Sequence, residues 1–164
     1  MKLRKLTPTD APFMLEWMHD PDCVEKLQSN FMSKTLDDCL SFIAHAQDPR
    51  DDLHLAITDD SDMYMGTVSL KHIDKAAGCA EFAIAIRACA MGKGLSAAAM
   101  EAILNLGLQE LGLKRIYWCV SPENTRAVRF YDKHSYPRVA AAQVDAPHYT
   151  PEQQRAYIWY EVAK

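Results

Sequence analysis

A glycine-containing turn near the middle of the chain is the first segment with chemical potential. Met91-Gly92-Lys93-Gly94-Leu95-Ser96 follows a predicted strand and precedes a long predicted helix. Glycine lets the backbone approach a ligand closely, and the first amides of a helix have no intrahelical acceptor. The turn could therefore hold a phosphate or pyrophosphate group, with Lys93 and Ser96 as further donors. It is neither a Walker A loop nor a dinucleotide fingerprint, so an ordinary strand-to-helix turn remains the alternative.

The strand that precedes this turn carries a carboxylate beside small residues. Alternation along residues 81–87 gives two faces, one with Phe82, Ile84 and Ile86 and the other with Glu81, Ala83, Ala85 and Arg87. The small face leaves room for a ligand next to Glu81. The alternative is a strand that packs beneath a close helix, with its charged ends in solvent.

An asparagine and a tyrosine occur seven residues apart in a predicted helix. Seven helical residues turn through about 700°, so Asn124 and Tyr131 return to within roughly 20° of the same face. Ala127 lies between them and keeps that face open. A tyrosine at this position could donate a proton, and the alternative is a core aromatic residue.

The elements that must position these residues follow from hydrophobic patterning and helix caps. Strands are predicted at 2–6, 53–58, 63–72, 79–87, 114–120, 138–144 and 155–162. Helices are predicted at 8–20, 21–27, 95–111 and 124–134, with another that begins after Thr35 and has Leu36, Leu40 and Ile43 on one face. This order predicts an α/β (α+β) fold with a mixed, mostly antiparallel sheet of about six to seven strands flanked by about four helices. One parallel β-α-β crossover places the glycine turn where such sheets hold a ligand.

Together, the three segments resemble the GNAT superfamily of N-acetyltransferases. The family's pyrophosphate loop, Q/R-x-x-G-x-G/A, corresponds to residues 89–94. Its stretch N-x-x-[AS]-x-x-[FL]-Y-x-K-x-G-[FY] corresponds to Asn124, Ala127, Phe130, Tyr131, Lys133 and Tyr136. Two positions depart from the pattern. Cys89 replaces a polar residue, and Ser135 replaces a glycine, so we expect Ser135 in a left-handed conformation.

The resemblance implies that acetyl-CoA is a co-substrate, bound between the strands at 79–87 and 114–120, and it implies no metal. The implied acetyl-CoA contacts are Ile84, Ala85, Ile86, Met91, Gly92, Lys93, Gly94, Leu95, Ser96, Asn124, Ala127 and Tyr131. The N–H of Ile84 or Ile86 would stabilise the oxyanion, and Tyr131 would protonate the departing thiolate. Glu81 is the favoured base for the acceptor amine, with His72 and His148 as alternatives. Because an ordinary carboxylate is a weak base, partial burial or a relaying water is expected.

The implied reaction is direct acetyl transfer to a primary amine, either of a small molecule such as an amino sugar or of a protein N-terminus. The acceptor would be chosen by the first two helices (Trp17, His19, Asp20, Asp22) and by the loop at 145–150. Residues 17–21 and 66–70 are similar to the branch with ribosomal-protein and nucleotide-sugar N-acetyltransferases. A non-catalytic acyl-CoA-binding or sensing domain would need neither Glu81 nor Tyr131. A nucleotide-phosphate module is a more distant alternative.

Composition sets the remaining expectations. The 164 residues suit a single domain, 1–164, and a net charge of −4 disfavours nucleic acid or an anionic membrane as a partner. Five cysteines, an odd number without metal-site spacing, favour a cytoplasmic protein, as does the absence of an apolar leader. We expect a monomer or a homodimer.

Overall fold

Seven strands form one sheet in the order β1-β2-β3-β4-β5-β7-β6. The computed structural model describes all 164 residues. The strands are β1 (Lys2–Lys5), β2 (Leu53–Thr58), β3 (Tyr64–Asp74), β4 (Cys79–Ile86), β5 (Arg115–Val120), β6 (Arg138–Val139) and β7 (Ile158–Ala163). Neighbouring strands are antiparallel except for β4 and β5, which are parallel. The predicted fold class is confirmed.

Six α-helices flank the sheet; five correspond to the helical segments predicted above, and α6 was not predicted. They are α1 (Ala11–Met18), α2 (Pro21–Val24), α3 (Leu36–Ala46), α4 (Leu95–Asn105), α5 (Thr125–Lys133) and α6 (Pro151–Ala156). Local caps explain several starts: the Thr35 hydroxyl accepts from the Asp38 N–H at 3.2 Å, while the Asp38 carboxylate accepts from the Thr35 N–H. None of these helices is both long and apolar enough to cross a membrane.

Apolar side chains cover both faces of the sheet. On one face, Met100 and Ile103 of α4 pack in a cluster with Leu70, Phe82 and other strand residues. On the other face, α1 and α3 cover Ala56 and Tyr64, while a separate cluster around Tyr117 and Trp159 lies beneath the segment at 139–149. The β4 and β5 strands lie between these layers.

The C-terminal third differs most from the sequence prediction. The strand predicted at 138–144 ends at Val139, because the Gln154 side chain donates to the carbonyls of Ala141 and Val144 and the chain turns there. The strand predicted at 155–162 begins at Ile158. Helix α6 precedes it, started by a capping box between Thr150 and Gln153.

Three helix boundaries are also corrected. The second helix ends at Val24 instead of residue 27. The helix predicted at 95–111 continues past α4 as a π-helical turn, Leu106–Glu110, and Gly112 follows with φ of +70°, as predicted. Asn124 is the N-cap of α5, outside the helix, with φ of −82° and ψ of 68°.

Candidate functional site

The β4 and β5 strands pair only at their beginnings. Their register contains Cys79↔Arg115, Ala80↔Ile116 and Glu81↔Tyr117, and no pair beyond these. From there β4 stays paired with β3, while β5 stays paired with β7. The two strands therefore diverge into a wedge, the β4–β5 cleft, with Glu81 at its narrow end.

Backbone donors of β4 face this cleft. The Arg87 N–H donates to the Met65 carbonyl at 2.8 Å, on the β3 side. Backbone N–H and C=O groups alternate sides along a strand. The N–H and C=O groups of Ile84 and Ile86 therefore point away from β3. The Ile86 carbonyl accepts from the Cys23 thiol at 3.8 Å on that side. Ala85, between them, packs its side chain against the cluster of α1 and α3.

The turn at 91–96 lies at the start of α4 and is open. Gly92 and Gly94 have φ of +77° and +78°, and a Cβ at either position would meet nothing within 4 Å. The N–H groups of residues 92–94 have no acceptor in the protein, and no side chain caps α4. Lys93 is exposed, while Met91, Leu95 and Ser96 are half-buried. Free amides at a helix start suit the diphosphate of CoA, so these residues fit the co-substrate.

Tyr131 has a core ring and a free hydroxyl. The residue is 7% exposed, and its ring packs 5.1 Å from Tyr160 and 5.5 Å from Trp118. Its hydroxyl makes no hydrogen bond in the protein, although it is not sealed from solvent. Burial raises the pKa of Tyr131, and the neighbouring Tyr160 and Cys119 raise it further. The hydroxyl therefore keeps its proton at neutral pH and is available as a donor.

Asn124 uses part of its side chain locally. Its Oδ1 accepts from the Ala127 N–H at 3.3 Å, which caps α5. Asn124 is the N-cap of α5 and its carbonyl accepts from the Val128 N–H at 3.1 Å, so the predicted seven-residue spacing to Tyr131 starts at the cap instead of inside the helix. Its amide NH₂ group has no acceptor in the protein and remains free. Ala127 is half-buried against the core of α4 and β5.

Glu81 is a buried carboxylate with a specific set of neighbours. Its side chain is 4% exposed, its Oε2 accepts from the Tyr149 hydroxyl at 2.5 Å, and the Lys71 Nζ lies 3.6 Å from Oε1. The pKa of Tyr149 is raised by burial, and Cys119 and Glu81 raise it further, so its hydroxyl remains a donor. Tyr149 thus donates a hydrogen bond to one carboxylate oxygen, and the other oxygen faces Lys71.

The two histidine alternatives lie beside Glu81. His72 and His148 stack with ring centroids 3.7 Å apart, and the His72 Nε2 lies 3.9 Å from Glu81 Oε1. Burial lowers the pKa of His72, and His148 lowers it further, while Glu81 opposes them. The three candidate bases are therefore one cluster of side chains.

Cys119 extends this cluster toward the cleft. Its sulfur lies 3.5 Å from the Tyr149 hydroxyl and 3.2 Å from the Gln28 Nε2. Burial raises its pKa to about 11, so it is a neutral thiol. Neither a site role for Cys119 nor the Tyr149–Glu81 contact was predicted from the sequence. The latter joins residues 68 positions apart, and no local spacing indicates it.

The predicted acceptor segments are only partly near the cleft. Trp17 is buried, and its Nε1 donates to the Tyr64 hydroxyl at 2.9 Å, so its role is structural. Asp20 caps α2 through the Asp22 N–H, and the His19 Nε2 is 2.7 Å from the Lys34 carbonyl. The segment at 21–28 spans the cleft, since Cys23 contacts the end of β4 and Gln28 contacts β5.

Comparisons with known proteins agree with this geometry. The acetyltransferase (GNAT) domain family matches residues 1–136. The uncharacterized N-acetyltransferase p20 of Bacillus licheniformis is 25% identical over 147 residues, which cover 84% of this chain and 79% of that protein. The spermidine N-acetyltransferase of Vibrio cholerae, solved with CoA and spermine, has a TM-score of 0.80 at 18% identity and covers 99% of this chain and 94% of its own. A GNAT-family acetyltransferase of Bacillus anthracis has a TM-score of 0.75 at 19% identity, covering 98% and 93%. At these identities the solved structures show the fold.

Proposed function

This chain belongs to the GNAT acetyltransferase family and is an acetyl-CoA-dependent N-acetyltransferase; on that premise, we propose that it acetylates the primary amine of a small molecule in the β4–β5 cleft. The end of strand pairing at Glu81↔Tyr117 carries the proposal. It leaves a buried carboxylate at the narrow end of the cleft and the free Tyr131 hydroxyl close to β5. A purely acyl-CoA-binding domain has no use for either group.

Acetyl-CoA would lie along the cleft with its diphosphate on the turn at 91–96. The free N–H groups of residues 92–94 would bind the diphosphate oxygens, and Lys93 would add a positive charge. The bound thioester supplies the acetyl carbon that the amine attacks. The backbone N–H of Ile84 or Ile86 would then bind the oxygen on which negative charge develops.

Glu81 would take a proton from the acceptor. An ammonium ion has no lone pair, so the amine must be deprotonated before it can attack. Tyr149 donates to Oε2, and this contact would fix the carboxylate while Oε1 receives the proton. Tyr131 would give its proton to the departing thiolate, whose basicity is comparable to that of a phenolate.

The acceptor site favours a small molecule over a polypeptide. The segment at 21–28 touches both walls of the cleft, and Tyr149 lies behind Glu81, which limits the space for a chain. The sequence suggested either an amino sugar or a protein N-terminus as the acceptor, whereas spermidine is named for a structural neighbour. The predicted likeness to the ribosomal-protein and nucleotide-sugar branch finds no support among the relatives described above.

A panel of amines tests the proposal. Purified protein is incubated with acetyl-CoA and an amino sugar, spermidine or a short peptide with a free N-terminus, and the free CoA thiol is measured. We expect release above background with at least one small amine, and none with the N-acetylated form of that amine. Binding of acetyl-CoA without release for any amine would contradict catalysis, and release with the peptide alone would contradict the small-molecule acceptor.

A further inference from the structure

His72 occupies a strained position at the end of a paired stretch. Its φ is +52°, in the left-handed region that a histidine seldom adopts. The pairing of β3 with β4 shifts register between Lys71 and Asp74, so His72 lies in an irregular part of the strand. Two bonds from the segment before β2 hold it: the His72 N–H donates to Asp52 Oδ1 at 2.8 Å, and the Ile73 N–H donates to the Asp51 carbonyl at 2.7 Å.

At this position the imidazole approaches Glu81 and is itself partly open to solvent. The His72 side chain is 37% exposed, whereas that of Glu81 is 4% exposed. His148 stacks on the ring at an interplanar angle of 17° and orients it. Strained residues persist where the surrounding structure over-determines them, and they concentrate at functional sites. Lys71 also links Glu81 to solvent, but an ammonium group has no lone pair with which to accept a proton.

We propose that His72 carries the proton of the acceptor amine from Glu81 to solvent, with His148 as a positioning residue that orients its ring. This role rests on the proposed function. The N–H bond of the acceptor ammonium breaks, its electron pair stays on nitrogen, and an O–H bond forms on Glu81. That O–H bond then breaks as an N–H bond forms on His72 Nε2, and His72 releases the proton to water. The 3.9 Å separation is closed by a small ring movement or by one bridging water.

The groups around His72 keep its imidazole able to accept a proton. Burial and His148 hold its pKa below the ordinary value, while Glu81 and Asp52 oppose them and Lys71 adds to the lowering. At neutral pH the ring is therefore mostly neutral. As the pH falls through the pKa of His72, the ring becomes protonated and can no longer accept, so kcat should decrease on the acid side.

Replacing His72 tests the role directly. Asparagine and glycine tolerate positive φ, so His72→Asn and His72→Gly retain the backbone conformation. For both variants we expect kcat reduced about 100-fold or more, with unchanged KM for acetyl-CoA and a loss of the acid-side decrease in kcat. Added imidazole should restore much of the activity of His72→Gly in a dilute buffer. His45→Asn, which changes an exposed histidine on α3, should leave the kinetics unchanged.

His148→Phe and an NMR titration separate proton transfer from structure. His148→Phe retains the stacked ring, so it should keep most of the kcat while raising the pKa of His72. Glu81→Gln should lower the pKa of His72 in the free protein. Normal kcat in folded His72→Asn, no rescue of His72→Gly by imidazole, or a His72 pKa indifferent to Glu81→Gln would each overturn the proposal. A wild-type enzyme inactive toward every amine would overturn the proposed function and this role with it, whereas activity indifferent to His72 would overturn this role alone.

Discussion

At the scale of the residue, Tyr131 has features of both alternatives considered from the sequence, the core aromatic and the proton donor. The ring belongs to the aromatic cluster with Trp118 and Tyr160, as expected of a core residue. The hydroxyl nevertheless has no partner in the protein. A buried phenol normally finds a hydrogen-bond partner, so an unpaired one is suited to a ligand. Packing holds the ring, and the free hydroxyl is what the proposed acid role requires.

Removing only this hydroxyl should therefore separate stability from catalysis. We expect Tyr131→Phe to keep the wild-type melting temperature and acetyl-CoA affinity but to lose roughly 10²–10⁴-fold in kcat, as for a lost general acid. Tyr160→Phe is the matched control in the same cluster. It loses a 2.9 Å hydrogen bond to Asp132 and should lose about 1 kcal/mol of stability with a normal kcat. A decrease in kcat of less than about threefold in Tyr131→Phe would exclude the acid role.

At the scale of elements, the turn before α4 is predicted to bind the diphosphate of acetyl-CoA. Gly92→Val would place a side chain where the diphosphate approaches, so the thermal stabilisation by CoA should disappear; ligand at 100 times Kd normally contributes about 2.7 kcal/mol. Gly112→Val is the matched control, since Gly112 has φ of +70° and equally open surroundings. It should lower the melting temperature of the free protein and keep the CoA-dependent shift. Cys89→Gln, which restores a polar residue common in the family, should retain or increase that shift.

The close contact of β3 with β4 gives a second prediction at this scale. A Cβ on Gly66 would lie 2.5 Å from the Ala85 carbonyl oxygen and 3.0 Å from the Ile86 Cα, both backbone atoms. Gly66→Ala should therefore displace β4, lower stability by about 1–3 kcal/mol and raise the KM for acetyl-CoA. In Gly107→Ala the new Cβ meets the side-chain ends of Ile116 and Leu70 instead. Thermal melts should show destabilisation in both variants, and an unchanged KM in Gly66→Ala would argue against the placement of acetyl-CoA along β4.

Elements were predictable where their signals are local. The Thr35 cap of α3 and the positive φ of Gly112 and Ser135 depend on a few neighbouring residues, and the structure confirms them, with Ser135 at φ of +60°. The same kind of signal was available for α6 in Thr150-Pro151-Glu152-Gln153, a capping-box sequence. The contacts of Glu81 with Tyr149 and His72 form only when distant segments fold together, so the spacing of residues could not predict that cluster.

At the scale of the whole molecule, an ion pair joins the first strand to the first helix. Arg4 donates to both oxygens of Asp10 at 2.8 and 2.9 Å, and the Asp10 side chain is 4% exposed. Burial alone would raise the pKa of Asp10, but the hydrogen bonds from Arg4 and Thr7 outweigh it, so the pKa lies below the ordinary 3.8. A depressed carboxyl pKa stabilises the fold above the unfolded-state value, and this stabilisation is lost as the pH falls through the folded-state value.

Asp10→Asn should therefore lower the free energy of unfolding by about 2 kcal/mol at pH 7. The difference from wild type should shrink as the pH falls below 3.8, because Asp10 becomes protonated in the wild type. Denaturant melts at pH 7 and at low pH measure both values. Asp60→Asn, at a fully exposed carboxylate near the N-terminus, should leave the free energy of unfolding unchanged at pH 7 and at low pH. If the difference in free energy of unfolding between wild type and Asp10→Asn stayed constant down to low pH, that result would contradict a depressed pKa for Asp10.

The two outer strands of the sheet have a consequence for how the protein behaves when it is concentrated. One edge strand is β1, whose four residues include Lys2, Arg4 and Lys5. The other edge strand is β6, which has only two residues and directly follows Pro137. Short edge strands that are rich in basic residues or adjacent to proline resist pairing with a strand from another molecule. The sheet is thus protected from open-ended growth into fibrils, and self-association must use side-chain surfaces. Any oligomer, including a homodimer, should accordingly leave the amide-exchange protection of β1 and β6 unchanged.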